Sequence, residues 1–301
     1  MFKLIKSSLI VTLVLLTLAC RIRPDSRFNR NDSSHSSSQP TANANNGELK
    51  KGEVISRTYN FKEAKKDQSY LLYIPKSYKA DRKTPLVVLL HGLRSSPERI
   101  MGYKGMVTEA EKRGYILVAP WGYNDRGWYG SMGPGKGIGS KSEDPENLGE
   151  LSKLDVMNVL KIVKDEFNID SERTFLLGHS MGGGGTLHLG ETYPDKWSGL
   201  VCLAPAYNKG KKLPRLRRSP TYYYESFQFE KLNKKVPVFI ISGDRDRLVP
   251  IHKVQSMVEE MKSLKVNVKY KEIKRGNHST SITNNPKMIA EVFDFFDGIK
   301  K

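Results

Sequence analysis

The stretch Thr174-Phe-Leu-Leu-Gly-His-Ser-Met-Gly-Gly-Gly-Gly-Thr186 decides the fold of this chain. Its first residues are mostly apolar and predict a buried strand, and a helical pattern begins after Ser180. The pattern Gly-x-Ser-x-Gly between a strand and a helix is typical of a sharp turn that presents the serine hydroxyl at the edge of a sheet. Each glycine in a helix costs about 1 kcal/mol against alanine, so four in a row indicate a steric demand. We interpret Ser180 as a candidate nucleophile.

Around this turn, residues 51–301 alternate between strand-like and helix-like runs. The predicted strands are 54–59, 70–74, 86–90, 115–119, 174–177, 199–203, 236–241 and 266–273. The predicted helices are 97–113, 148–167, 181–192, 252–264 and 286–299. The first two strands lack a helix between them and predict an antiparallel edge, whereas the later ones are short apolar runs typical of parallel strands. The pattern therefore predicts one α/β domain with a mostly parallel, doubly wound sheet of about eight strands.

A nucleophilic serine needs a base that accepts its proton and a carboxylate that orients the base. In doubly wound hydrolases these groups follow in the chain order serine, acid, histidine, at the ends of later strands. Asp244 and Asp246 follow one predicted strand, and His278 follows the next. His252 is the competing base. It falls near the start of a helix, and it is too close to strand 236–241, which the two aspartates follow, to come from a separate loop. We therefore predict His278 as the base.

The oxyanion that forms during acyl transfer needs two backbone N–H donors. One is expected from Met181, the residue after the nucleophile, and the other from Leu93 in the loop that follows strand 86–90. His91 in the same loop is interpreted as a structural hydrogen-bonding residue.

The segments LVVLLHG, APWG, GHSMGG, ISGDRDRLVP and GNH, in this order, resemble those of α/β-hydrolases. The chain resembles secreted esterases grouped with poly(3-hydroxybutyrate) depolymerases, feruloyl esterases and the catalytic domain of prolyl oligopeptidases. The resemblance covers residues 54–301 and implies the α/β-hydrolase fold. It favours Asp246 as the acid, because Gly243, Asp246 and Val249 match Gly-x-x-Asp-x-x-Val. Asp244 is then expected to bond backbone N–H groups of its own turn.

The resemblance implies a serine hydrolase that cleaves carboxylic esters through an acyl-enzyme, without a cofactor. Two alternatives stay open at this point. One is a serine peptidase of the prolyl-oligopeptidase type with the same three residues, and the other is a surface lipoprotein that binds a partner through an inactive hydrolase scaffold. The substrate is expected to be a small-molecule or polymeric ester.

Four residues are candidates for substrate binding. Trp121, Trp128 and Tyr129 lie in a glycine-rich loop, residues 121–147, which is expected to overhang Ser180 and to stack on an aromatic or sugar-bearing substrate. The alternative is a plain surface loop. The fourth candidate is His179, beside the nucleophile.

Residues 207–235 form an insertion after strand 199–203, where hydrolases of this kind often carry a cap. Asp155, Glu150 and Asp195 are interpreted as helix-surface or capping residues, and no metal-ligand spacing surrounds them. We therefore expect neither a metal nor another cofactor.

The N-terminal segment, residues 1–20, combines two lysines with a short apolar run and is typical of an export signal. It ends at Leu16-Thr-Leu-Ala-Cys20, which resembles a bacterial lipobox, although Thr17 stands where leucine is usual. The pattern predicts an exported protein that is lipid-anchored to the membrane through Cys20, and ordinary cleavage to a secreted soluble product is the alternative. Residues 21–50 have the composition of a disordered tether.

The formal net charge of the chain is +18. The charges are dispersed apart from the basic run at residues 209–218, and no nucleic-acid-binding motif is present, so we exclude a nucleic-acid partner. Cys202 lies in an apolar strand pattern and is expected to be a free thiol of the core.

Overall fold

The computed structural model of the protein describes residues 50–207 and 227–299. The predicted export signal, nearly all of the predicted tether and the basic run at residues 209–218 lie outside the described residues. Of the predicted cap insertion, only the two ends are described. Within the part of the chain that the structure describes, no helix is long and apolar enough to cross a membrane.

Eight strands lie in one sheet within the described residues. They are β1 (Val54–Phe61), β2 (Lys66–Tyr73), β3 (Thr84–Leu90), β4 (Ile116–Pro120), β5 (Ile169–His179), β6 (Gly199–Leu203), β7 (Val238–Gly243) and β8 (Val268–Ile273). Their order across the sheet is β1-β2-β4-β3-β5-β6-β7-β8. The pairs β1–β2 and β2–β4 are antiparallel, and all later pairs are parallel. The predicted fold class is confirmed, including the antiparallel edge.

Helices cover both faces of this sheet. They are α1 (Pro97–Met101), α2 (Met106–Arg113), α3 (Leu148–Glu166), α4 (Met181–Thr192), α5 (Ile251–Ser263), α6 (Thr280–Thr283) and α7 (Pro286–Asp297). The sheet residues alternate between two apolar clusters: Val88 belongs to the cluster that includes residues of α3, α4 and α5, whereas Val87 belongs to the one that includes residues of α1, α2 and α7. Strands that are buried on both faces explain the continuous apolar runs in the sequence. Cys202 is a fully buried free thiol, as predicted.

The single helix predicted at residues 97–113 is wrong, because the structure has two helices there. The Gly102 N–H donates to the Glu98 carbonyl at 2.9 Å, which closes α1. Gly105 then has a left-handed backbone with φ 98°, and a Cβ at this position would lie 3.1 Å from the Pro286 Cα. The two glycines therefore open a loop, residues 102–105, which carries Tyr103 toward the carboxyl edge of the sheet.

Candidate active site

The turn after β5 holds Ser180 in a strained conformation, with φ 56° and ψ −115°. A Cβ on Gly178 would lie 2.0 Å from the Gly182 carbonyl oxygen, and a Cβ on Gly182 would lie 2.0 Å from the Leu90 carbonyl oxygen. Only glycine permits these two approaches, so the start of α4 lies directly against the ends of β5 and β3. The Ser180 N–H donates to the Leu203 carbonyl at 2.9 Å, which fixes the turn to β6.

The three glycines that follow in α4 each meet a different neighbour. A Cβ on Gly183 would lie 2.8 Å from the Pro205 Cα, and one on Gly184 would lie 2.6 Å from the Ala206 carbonyl oxygen. A Cβ on Gly185 would lie 2.5 Å from the Tyr129 ring. The steric demand that the sequence predicted for this run is therefore present at every position.

The side chains of Ser180, His278 and Asp246 form one hydrogen-bonded chain at the carboxyl edge of the sheet. The Ser180 Oγ lies 2.8 Å from the His278 Nε2, and the His278 Nδ1 lies 2.6 Å from the Asp246 Oδ2. Because a carboxylate only accepts, Nδ1 carries the ring proton, and Nε2 is left free to accept from the serine hydroxyl. The geometry is that of a nucleophile, a base and a group that orients the base.

Asp246 is the better anchored of the two candidate acids. Its side chain is fully buried, and its Oδ1 accepts the N–H groups of Leu248 and Val249, both at 2.8 Å. These bonds leave Oδ2 directed at His278. Asp244 is exposed, and its carboxylate makes no hydrogen bond within the described residues. The expectation that Asp244 would bond the N–H groups of its own turn is therefore wrong, because Asp246 takes them.

His252 does not lie with Ser180. It is exposed at the start of α5, where the sequence predicted it.

The loop after β3 brings a second backbone donor to the serine. A Cβ on Gly92 would lie only 3.4 Å from the Ser180 Cβ, so the backbone of this loop borders the nucleophile. The N–H groups of Leu93 and Met181 donate to no acceptor within the described residues. These two N–H groups stay the predicted donors to an oxyanion. His91 is fully buried, and its ring nitrogens lie 2.9 Å and 3.0 Å from the carbonyl oxygens of Gly92 and Trp121.

The loop at residues 121–147 is more deeply buried than the sequence predicted. Tyr129 is fully buried, and its hydroxyl donates to the His91 carbonyl at 3.2 Å. The prediction that Tyr129 stacks on substrate is therefore wrong, because its ring packs against α4 instead. Trp128 is half-buried, and its indole N–H donates to the Ile138 carbonyl of the same loop at 2.8 Å.

Trp121 remains a candidate for substrate contact. It is half-buried, and its ring packs edge-on against the ring of His91. It borders an open, polar cleft of about 510 Å³ between the loop that follows β4 and the start of β2. The other lining residues are Asp67, Gln68, Ser69, Ser95, Tyr123, Asn124, Asp125 and Arg126.

His179 is buried and does not face open space. Its Nδ1 lies 2.5 Å from the Tyr103 hydroxyl, and its Nε2 lies 2.8 Å from the His278 carbonyl oxygen. Burial and the neighbouring His278 lower the pKa of His179 to about 4, so the ring is neutral at pH 7. The predicted contact with substrate is wrong for His179, because both ring nitrogens are already bonded within the protein. Tyr103 was not predicted from the sequence, although Gly102 and Gly105 on either side of it, within a helical pattern, were a signal.

Asp155 is not the helix-surface residue that the sequence predicted. It is fully buried, and it accepts hydrogen bonds from the Tyr59 hydroxyl at 2.6 Å and from the Tyr123 N–H at 3.1 Å. Burial raises the pKa of Asp155 to about 6. Glu150 and Asp195 are at the surface as predicted, and Glu150 pairs with Lys153 at 2.7 Å. No group of residues that could hold a metal ion occurs within residues 50–207 and 227–299.

Comparison with known proteins places this chain among esterases. The family model Esterase matches residues 62–288, which is most of the chain. S-formylglutathione hydrolase from Bos taurus is 28% identical over 154 residues, which are 48% of this chain and 54% of that protein. A bifunctional acetylxylan esterase/xylanase from Neocallimastix patriciarum is 24% identical over 176 residues, 58% of this chain and 21% of that protein. The chain therefore matches about half, or less, of the length of these two relatives.

Solved structures agree on the fold. A ferulic acid esterase superposes with a TM-score of 0.62 over 82% of this chain and 98% of its own, at 17% identity.

Proposed function

This chain belongs to the Esterase family, and from that premise we propose that it is a serine esterase that cleaves carboxylic esters through an acyl-enzyme. The observation that carries the proposal is the chain of hydrogen bonds from Ser180 Oγ through His278 to Asp246, at 2.8 Å and 2.6 Å. It lies at the carboxyl edge of a parallel sheet, where this fold presents its reactive groups. The same bonds argue against an inactive scaffold.

In the first half of the reaction, Ser180 Oγ attacks the ester carbonyl carbon while His278 Nε2 takes the hydroxyl proton. The carbonyl π electrons move onto oxygen, and the N–H groups of Leu93 and Met181 stabilise the resulting oxyanion. When the tetrahedral intermediate collapses, His278 gives its proton to the leaving alkoxide, and the alcohol departs. The acyl group remains bonded to Ser180.

In the second half, a water molecule takes the place of the alcohol. His278 accepts a proton from this water as its oxygen attacks the acyl carbon, and then returns the proton to Ser180 Oγ as the acid leaves. In both halves, the negative charge of Asp246 stabilises the imidazolium, and its hydrogen bond keeps Nε2 directed at the serine. No cofactor enters either half.

The relatives indicate only a broad class of substrate. S-formylglutathione hydrolases and an acetylxylan esterase are among them, and we propose a small-molecule or polymeric ester for this chain as well.

The test compares p-nitrophenyl acetate with an aminoacyl p-nitroanilide in the wild type and in Ser180→Ala. We expect ester hydrolysis to exceed amide hydrolysis, and Ser180→Ala to lower kcat by about 10⁴–10⁶-fold with the fold intact. Ser242→Ala is the matched control, because Ser242 is a buried serine at the end of β7 whose hydroxyl has no partner within the described residues. An active Ser180→Ala variant would sink the proposal, and a preference for the anilide would replace the esterase with a peptidase.

We also propose that the protein is exported and held at a membrane by a lipid on Cys20, which the sequence pattern alone supports. Wild-type protein should partition into the detergent phase of a Triton X-114 extract, and Cys20→Ser should move it to the aqueous phase or block its processing. A wild-type protein in the aqueous phase, with a mature N terminus elsewhere than Cys20, would favour a secreted soluble product.

A further inference from the structure

The loop at residues 102–105 contacts the segment that follows His278, the candidate base. The Lys104 N–H donates to the Thr283 carbonyl at 2.9 Å, and Gly105 packs against Pro286. Between the two glycines, Tyr103 points inward and is 7% exposed. Its ring meets the His179 ring edge-on, with the centroids 5.7 Å apart. The loop is therefore fixed both to the segment after His278 and to the residue before Ser180.

His179 connects the nucleophile turn to the loop of the base. It directly precedes Ser180, and its Nε2 reaches the main-chain carbonyl of His278 at 2.8 Å. No other group in the described part of the chain donates to this carbonyl. The side chain of His278 is held by Asp246, and its main chain is held by His179.

The hydrogen-bond partners of His179 select one form of its ring. A carbonyl oxygen can only accept, so Nε2 must carry the proton. In the neutral ring Nδ1 is then an acceptor, and the Tyr103 hydroxyl donates to it at 2.5 Å. In the other tautomer, the lone pair of Nε2 would face a lone pair of the His278 carbonyl oxygen. The hydroxyl proton of Tyr103 would then point at the N–H of Nδ1. The tyrosine therefore favours the tautomer that can bind the His278 carbonyl.

We propose that Tyr103 and His179 are positioning residues that hold the main chain of His278 at the distance from Ser180 that proton transfer requires. The inference rests on the proposed esterase function. Neither residue touches the reacting atoms, so both act through His278. Since a misplacement of about 1 Å can cost about 10²-fold in rate, loss of this support should appear in kcat.

The experiment uses two substitutions of His179 that differ in one respect. In His179→Gln the amide nitrogen can occupy the place of Nε2 and donate to the His278 carbonyl, whereas His179→Leu fills the space without a donor. With p-nitrophenyl acetate, we expect His179→Leu to lower kcat by about 10–100-fold with KM within about twofold of wild type. His179→Gln should recover most of this loss.

Tyr103→Phe removes only one oxygen atom and is expected to keep the fold, so the inference can still be tested if His179→Leu fails to fold. As a single substitution, we expect it to lower kcat by about 3–10-fold. In the double variant with His179→Leu it should cause no further loss, because Tyr103 acts on His278 only through His179. Tyr73→Phe is the control, since it removes another buried hydroxyl, bonded to Glu111, far from the site.

Two results would overturn the inference. In the first, His179→Leu, His179→Gln and Tyr103→Phe all keep the kcat of the wild type. In the second, all three lose kcat equally and their melting temperatures fall as well. If Ser180→Ala is inactive but His179→Leu has wild-type kcat, this inference fails and the proposed esterase function stands. If Ser180→Ala is as active as wild type, the proposed function itself fails.

Discussion

The turn around Ser180 and the loop at residues 121–147 are both glycine-rich, but only the loop has glycines with a left-handed backbone. In the turn, Gly178 and Gly182 allow main-chain atoms to approach where a Cβ would lie 2.0 Å from a carbonyl oxygen. In the loop, Gly130 and three other glycines take a left-handed backbone with positive φ. The loop also holds Tyr123, Trp128 and Tyr129 at positive φ. The turn is fixed by close packing, and the loop by buried polar contacts that offset backbone strain.

This difference explains which parts of the site could be predicted from the sequence. The turn is contiguous in the chain, so its motif, its strand and its helix identified Ser180 together, and chain order then led to Asp246 and His278. The depth of the loop depends on contacts with distant residues. Tyr129 is buried because its N–H binds Ser152, 23 residues away, and its hydroxyl binds His91. A local pattern of aromatic residues and glycines cannot reveal such contacts.

The errors at Asp155 and Asp244 have the same physical origin. Asp155 occupies a helical position that resembles a surface one, but Tyr59 from β1 and the Tyr123 N–H surround it in the fold. In the turn after β7, Asp244 and Asp246 compete for the same N–H groups. The one that obtained them, Asp246, also faces His278.

The largest expected effect distinguishes these two aspartates. Asp246→Asn should lower kcat by about 10⁴-fold, because asparagine supports the wrong tautomer of His278. The melting temperature should change little, since the amide oxygen can still accept the N–H groups of Leu248 and Val249. Asp244→Asn is the matched control and should keep wild-type kcat and melting temperature, because its carboxylate is exposed. The reverse pattern in steady-state kinetics would transfer the role to Asp244.

The next effect contrasts a glycine of the turn with one of the loop. Gly182→Ala should destabilise the protein by more than about 4 kcal/mol or prevent folding, because the new Cβ meets the Leu90 carbonyl oxygen at 2.0 Å. Gly135→Ala should stay within about 0.5 kcal/mol of wild type, since its Cβ would lie 3.4 Å from the nearest atom. Urea denaturation followed by circular dichroism measures both. A stable Gly182→Ala variant would contradict the account of the turn.

The smallest effect tests the buried contact that holds the start of the loop. Burial raises the pKa of Asp155 from 3.8 to about 6, so the folded protein binds this proton more tightly than the unfolded chain. The stability linked to Asp155 is then complete below pH 4 and is lost as the pH rises through 6. Relative to Asp155→Asn, the free energy of unfolding of the wild type should fall by about 2 kcal/mol between pH 4 and 6. Urea denaturation at four pH values measures this difference, and parallel curves for the two proteins would contradict the assignment.

The most direct test of the central claim is to identify the acylated residue. Wild-type protein is mixed with p-nitrophenyl acetate, quenched in acid during turnover, and examined by intact-mass and peptide mass spectrometry. The account predicts one added acetyl group, located on Ser180, and none on Ser180→Ala, because the acyl-enzyme forms before water attacks. An acetyl group on another residue that disappears at the rate of turnover, or turnover by Ser180→Ala, would contradict it.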